Sequence, residues 1–117
     1  MSARRGRAAE RVALDYYVAR GFSILGSNVR FGALELDLVV RHGPLVVLVE
    51  VRARGPGSFL GPFASVTAAK MRCLRRATRA AWARLRLDPS VERVRVDVVA
   101  VDLWAVPVTV DVAEALT

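Results

Sequence analysis

Asp37, Glu50 and Arg52 are the residues of this chain whose types and spacing could do chemistry. They lie in two apolar runs, LELDLVV at 34–40 and LVVLVEVRAR at 45–54, joined by the turn RHGP. An acid inside a run such as VVLVEV is rarely left unpaired, because desolvating a carboxylate is costly unless something uses it. Strand side chains alternate faces, so Glu50 and Arg52 share one face, about 6–7 Å apart. A hairpin at the turn sets Asp37 opposite or diagonal to residues 48–50, at roughly 5–8 Å. One divalent cation, Mg2+ or Mn2+, could then bridge Asp37 and Glu50, with carboxylate oxygens at about 2.0–2.1 Å for magnesium. The chemistry implied is metal-assisted phosphodiester hydrolysis, with the ion polarising a phosphoryl oxygen and lowering the pKa of a water. Arg52 would steady the developing negative charge. Glu10 could add a third carboxylate, as a ligand or through water.

These residues need a scaffold, and the hydrophobic pattern supplies one. Residues 3–20 read as a helix ended by Gly21, with Ala9, Val12, Ala13, Tyr16 and Tyr17 near helical spacing. The segment FSILGSNVRF at 22–31 reads as a strand bulged at Gly26. Residues 34–41 alternate, which puts Leu34, Leu36 and Leu38 on one face and Glu35 and Asp37 on the other. The turn at 41–44 carries Gly43 and Pro44, and residues 45–53 form a central strand covered on both faces. A glycine- and proline-rich loop at 55–65 precedes a helix from 68 to about 87, capped by Thr67. Strands at about 93–103 and 106–112 close the chain. The order of helix, three strands, helix and two strands reads as an α/β or α+β sandwich around one sheet.

With 117 residues, the chain reads as one domain over residues 1–117. Its hydrophobic content of 54% argues against disorder. The formal net charge of +7 favours a nucleic-acid partner, with an anionic membrane surface second. Among the 18 basic residues only Lys70 is lysine. A single cysteine, Cys73, excludes an internal disulfide, and one His with one Cys cannot build a zinc site. No run reaches a membrane span, and the N-terminal segment lacks the apolar stretch of a secretory signal, so the expected location is the cytoplasm.

The motifs resemble a known group. An acid followed by E-x-K on the next strand resembles the PD-(D/E)XK nuclease superfamily, which implies a restriction-endonuclease-like α/β fold, a three-layer sandwich with a central mixed sheet of about five strands flanked by helices. More closely, the chain is similar to the bacterial YraN family of small predicted endonucleases over nearly its whole length. GRAAERVALDYYVARGFSILGSNVRF resembles that family's opening segment, with Glu10 at its acidic position. LELDLV resembles its G-E-I-D-L-I motif, with Asp37 as the acid. VLVEVRAR resembles its F-V-E-V-K-x-R motif, and the segments around Lys70 and Asp97 are similar too. The resemblance implies a divalent-metal-dependent DNA endonuclease, acting on branched or damaged DNA among others, with Asp37 and Glu50 as metal ligands. Two positions depart from the pattern: Leu34 stands where the family has Gly, and Arg52 where the superfamily has its catalytic Lys. Arginine binds phosphate but handles protons poorly. A nucleic-acid-binding module that kept the fold and lost turnover is therefore the alternative. An adaptor protein is a third and weaker one. A homodimer would suit two-strand cutting, although no residue pattern shows one.

Blander roles compete for the same residues. Asp37 and Glu35 could form the solvent face of a strand, and Glu50 could sit in a salt bridge with Arg52 or Arg30. Lys70, Arg72, Arg75, Arg76 and Arg79 could be a solvated helix face around a core stripe of Met71, Leu74, Ala77, Ala81 and Leu85. No acid lies between Glu50 and Asp88, so that helix, with Arg54, is equally a candidate for the phosphate backbone. Phe59, Phe63, Trp82 and Trp104 read as core or interface rather than base platforms. His42 reads as inert, Cys73 as packed, and Asp97 and Asp102 as solvent-facing.

Overall fold

The computed structural model describes residues 3–54, 63 and 66–115. The order is α1 (Ala3–Ala19), β1 (Ser23–Phe31), β2 (Leu34–His42), β3 (Leu45–Arg54), α2 (Ala68–Leu85), β4 (Arg93–Asp102) and β5 (Thr109–Ala115). The strands form one open sheet in the order β1-β2-β3-β4-β5. Neighbours are antiparallel except β3 and β4, which are parallel and joined through α2. This is the expected α/β sandwich: a mixed five-stranded sheet between two helices.

Each helix buries the stripe that its sequence spacing predicts. On α1, Ala9, Ala13 and Tyr17 recur every four residues and pack with Leu38, Val40, Val47, Val49, Val99 and Val101. On α2, Leu74, Ala77 and Ala81 pack with Leu36, Val39, Val46, Leu48, Val96 and Val98 on the other face. Gly21 ends α1 at φ +88°, where a side chain would be strained. The N–H groups of Gly21 and Phe22 donate to the Val18 and Tyr17 carbonyls, both at 3.0 Å. Thr67 caps α2 as expected, its hydroxyl accepting the Lys70 N–H at 3.1 Å. Strand β1 carries the expected bulge, with its register shifting between Ile24 and Gly26. The loop expected at 55–65, with Phe59, lies outside the described residues apart from Phe63, which packs against the α2-side core.

Three expectations are corrected. Leu36 and Leu38 do not share a face: Leu34 and Leu36 pack on the α2 side, and Leu38 on the α1 side. The alternation breaks at Asp37, where the ladder to β3 ends at the Leu38–Val49 pair. Strand β5 begins at Thr109 rather than 106. Pro107 offers no N–H to a ladder. Asp102 Oδ1 holds the preceding turn instead, accepting the Trp104 and Ala105 N–H groups at 2.9 and 3.2 Å.

Asp97 is the third correction, because it is fully buried rather than solvent-facing. The Tyr17 hydroxyl donates to its Oδ2 at 2.6 Å. Arg95 adds a bidentate pair, Nε to Oδ1 at 2.8 Å and Nη2 to Oδ2 at 3.0 Å. Burial, followed by the Asp97 charge and hydrogen bond, pushes the Tyr17 phenol far above its ordinary range, so it stays a donor. This network ties α1 to β4 through groups that cannot be left unpaired. Tyr17→Phe is expected to lower unfolding free energy by about 1–3 kcal/mol, read by chemical denaturation.

Candidate functional site

The site begins where β2 and β3 part. Leu38 and Val49 are the last partners in the ladder, and the next residues along are Asp37 and Glu50. The Val51 N–H has the Asp37 side chain as its acceptor, donating to Oδ2 at 2.7 Å. Asp37 therefore lies beside Glu50 and Val51, at the far edge of the expected 48–50 window. The solvent-face alternative fails for Asp37, which is only partly exposed, and holds for Glu35, which pairs with Arg30 at 3.7 Å on the surface.

Glu50 lies on the α2 side of β3 and is buried. Its partner is neither Arg52 nor Arg30 but Lys70 from α2, with Nζ 2.7 Å from Oε2. At that distance the ammonium and the carboxylate oxygen form a close, charge-assisted ion pair. Lys70 thus leaves the outward arc of its helix and enters the carboxylate site. Arg72, Arg75, Arg76 and Arg79 stay exposed, as a solvated or phosphate-facing surface requires.

Arg52 is half-buried one strand step beyond Glu50, and its Nε has no partner among the described residues. Arg54 is also partly buried, with Nη1 3.9 Å from Asp111 and its own Nε without a partner among the described residues. Glu10 reaches the site from the other side of the sheet. It lines a cavity of about 70 Å³ with Gly6, Ala9, Asp37, Val51 and Ala53. Asp37 is thus the hinge of the site, with Glu10 on the α1 side and Glu50 on the α2 side.

The Asp37 carboxyl shows the electrostatic cost of this arrangement. Burial raises its pKa most, the Val51 amide opposes this, and the hydrogen bond and charge of Glu50 and the charge of Glu10 raise it further. The result is a carboxyl pushed up from 3.8 to about 7. A divalent cation would relieve that repulsion. Among the described residues no three His, Cys, Asp or Glu side chains form a ready ligand cluster. Asp37 and Glu50 are a pair rather than a cage, and magnesium is commonly held by one or two carboxylates with water and phosphate completing the shell. The residues fit such an ion in number and in chemistry.

Two features escaped the sequence pattern. The Tyr17–Asp97–Arg95 network was hidden by the rule that a strand acid between apolar residues faces water; the i, i+2 pairing of Arg95 with Asp97 was the available signal. Trp82 is 39% exposed and lines a groove, rather than lying in the core.

The sequence model of the family described as "Uncharacterised protein family UPF0102" matches residues 9–101, a span that includes Glu10, Asp37, Glu50, Arg52 and Lys70. The chain is 39% identical to a UPF0102 protein of Sorangium cellulosum over 100 residues, 82% of this chain and 67% of the relative. It is 40% identical to one of Symbiobacterium thermophilum over 102 residues, 87% and 85% of the two chains. A Legionella pneumophila UPF0102 protein is 32% identical over 102 residues, 87% and 86%.

The raised Asp37 pKa has a definite consequence for stability. Between about pH 4 and 7 the folded chain keeps a proton that the unfolded chain has released, so this group's stabilisation is full below pH 4 and is lost as pH rises through 7. Asp37→Asn keeps an acceptor for the Val51 N–H and carries no charge. It should melt above the native chain at about pH 8 and level with it at about pH 4, by thermal unfolding. A difference that does not change with pH would mean that Asp37 ionises normally.

Proposed function

The chain belongs to the UPF0102 family, and from that premise and the geometry of the β2–β3 fork we propose that it is a divalent-metal-dependent endonuclease hydrolysing DNA phosphodiester bonds. The observation that carries this reading is the pairing of two carboxylates, Asp37 and Glu50, at a point where a strand ladder opens, with Lys70 and Arg52 beside them.

Asp37 and Glu50 would hold Mg2+ or Mn2+, with Glu10 acting on Asp37 by charge from the α1 side. When bound, the ion supplies a Lewis acid for a phosphoryl oxygen and for an attacking water. The chain's own groups divide the remaining work. The Val51 N–H fixes the Asp37 carboxylate in place, with Oδ2 held by the backbone and the group set beside Glu50. Arg52, half-buried beside Glu50 with a planar and always charged guanidinium, is suited to gripping a phosphate oxygen. Lys70 carries the positive charge nearest Glu50 and can handle a proton, which a guanidinium does poorly. It therefore takes the part that the lysine of the E-x-K pattern would have and Arg52 lacks. Arg72, Arg75, Arg76 and Arg79, exposed along α2, supply the sequence-independent attraction for phosphate.

The test is incubation of the purified chain with supercoiled, linear and branched DNA in magnesium or manganese. Cleavage is expected, and Asp37→Ala or Glu50→Ala should abolish it; cleavage that survives either change overturns the proposal. Lys70→Met should lower kcat about 100-fold, as loss of a charge-stabilising group does, with little change in KM. If the wild type binds DNA but does not cut, and Arg52→Lys restores cutting, the chain is a binding module with a decayed site.

Two further outcomes follow from the same geometry. Magnesium or manganese should raise the melting temperature of the native chain at about pH 8, and Asp37→Asn and Glu50→Gln should remove that rise. Arg72→Ala and Arg75→Ala should each weaken DNA binding uniformly and reduce the salt slope by about one, in anisotropy titrations.

A further inference from the structure

We infer that the groove beside Trp82 seats an unpaired base of single-stranded DNA, and this rests on the DNA-binding part of the proposal above. The groove measures about 490 Å³ and is lined by Thr78, Arg79, Trp82, Glu92, Arg93 and Val94. That volume lies within the range of small-molecule sites. It opens between the last turns of α2 and the start of β4, so it is separate from the carboxylate fork at the other end of the helix.

Three observations select the occupant. Trp82 is 39% exposed on a helix whose core-facing neighbours are the small Ala77 and Ala81, so the indole is not needed to fill the core. An accessible indole offers a stacking face that accepts any base. Arg79 and Arg93 are exposed, and neither has a carboxylate partner among the described residues. Glu92 is the single acid in the lining, so the rim carries net positive charge and suits the phosphates that flank a base. A neutral apolar partner would gain nothing from those guanidinium groups.

The position relative to the fork is also informative. Trp82 lies twelve residues along α2 from Lys70, about 18 Å at 1.5 Å per residue. At 3.4 Å per stacked nucleotide that is about five nucleotides. Arg75 and Arg79 lie on the exposed side of the helix between the two points. A strand running along α2 could therefore meet the fork at one end and stack a base at the other. The inferred substrate has a duplex or branch point at the fork and at least about five unpaired nucleotides beside it.

The experiment uses the full chain without metal, so that binding is measured apart from cleavage. In a Trp104→Phe background the remaining tryptophan is Trp82. A 15-nucleotide single strand should quench its fluorescence saturably, and a duplex of the same length should quench it less. Trp82→Ala should lower single-strand affinity roughly 5- to 100-fold and leave duplex affinity unchanged, and Trp82→Phe should recover much of the loss. Melting curves of both variants report whether the fold is kept. Equal loss for single strand and duplex, or no loss for either, overturns the inference. So does a change in solution mass on Trp82→Ala without a change in DNA affinity, which would assign the groove to a second copy of the chain. If no DNA binds at all, the functional reading itself fails; if DNA binds and cleavage is absent, the Trp82 result still stands alone.

Discussion

The candidate site depends on one hydrogen bond, the Val51 N–H donating to Asp37 Oδ2 at 2.7 Å. It marks the place where β2 stops pairing with β3 through its backbone. Past that point β3 still runs for several residues, paired on its other side with β4. An N–H facing the gap needs an acceptor, and a short carboxylate can reach it. The acid that satisfies the backbone is then held against Glu50, on the part of the sheet that carries charge rather than core. A structural requirement and a chemical opportunity share one side chain.

Around that bond the charges are unevenly neutralised. Lys70 stands against Glu50, whereas Asp37 has an amide for company and two acids as neighbours. Burial above all, and then the neighbouring Glu50 and Glu10, push Asp37 towards a neutral proton-holding state. Contrast the buried Asp97, which receives three donated hydrogen bonds from Tyr17 and Arg95. The one acid is saturated with donors and the other is not. The saturated acid belongs to the scaffold, and the unsaturated one to the site.

Much of this was legible in the sequence, and the failures have physical causes. Periodicity located both helices, the Thr67 cap, the Gly21 stop and the bulge near Gly26, because each depends on local chemistry. The pairing of Asp37 with the Glu50 region followed from a tight hairpin, in which His42 pairs with Leu45 across Gly43 and Pro44. Simple alternation failed at Leu36 and Leu38 because the strand changes faces at Asp37, which no pattern of apolar residues signals. It failed at Asp97 because burial of an acid is decided by donors 80 residues away in sequence and by Arg95 beside it. Lys70 was noticed as the only lysine, but its approach to Glu50 required the packing of α2 on the sheet. The shift in β5 reflects a turn held by Asp102 rather than any property of the strand itself.

The bulge in β1 matters for a different reason, which is how the molecule keeps to itself. Strand β1 is an outer strand of an open sheet, and such a strand offers unpaired amides and carbonyls to any other extended chain. Here the row of groups is interrupted twice, by the register shift between Ile24 and Gly26 and by Asn28 in the left-handed region at φ 53°. Ile24 and Leu25 are exposed beside the first interruption, an otherwise sticky combination. A second strand laid along this border would lose register within a few residues. The irregularity therefore acts as a guard against edge-to-edge sheet growth in a chain rich in valine, and it makes a continuous intermolecular sheet through β1 an unfavourable way for two copies to associate.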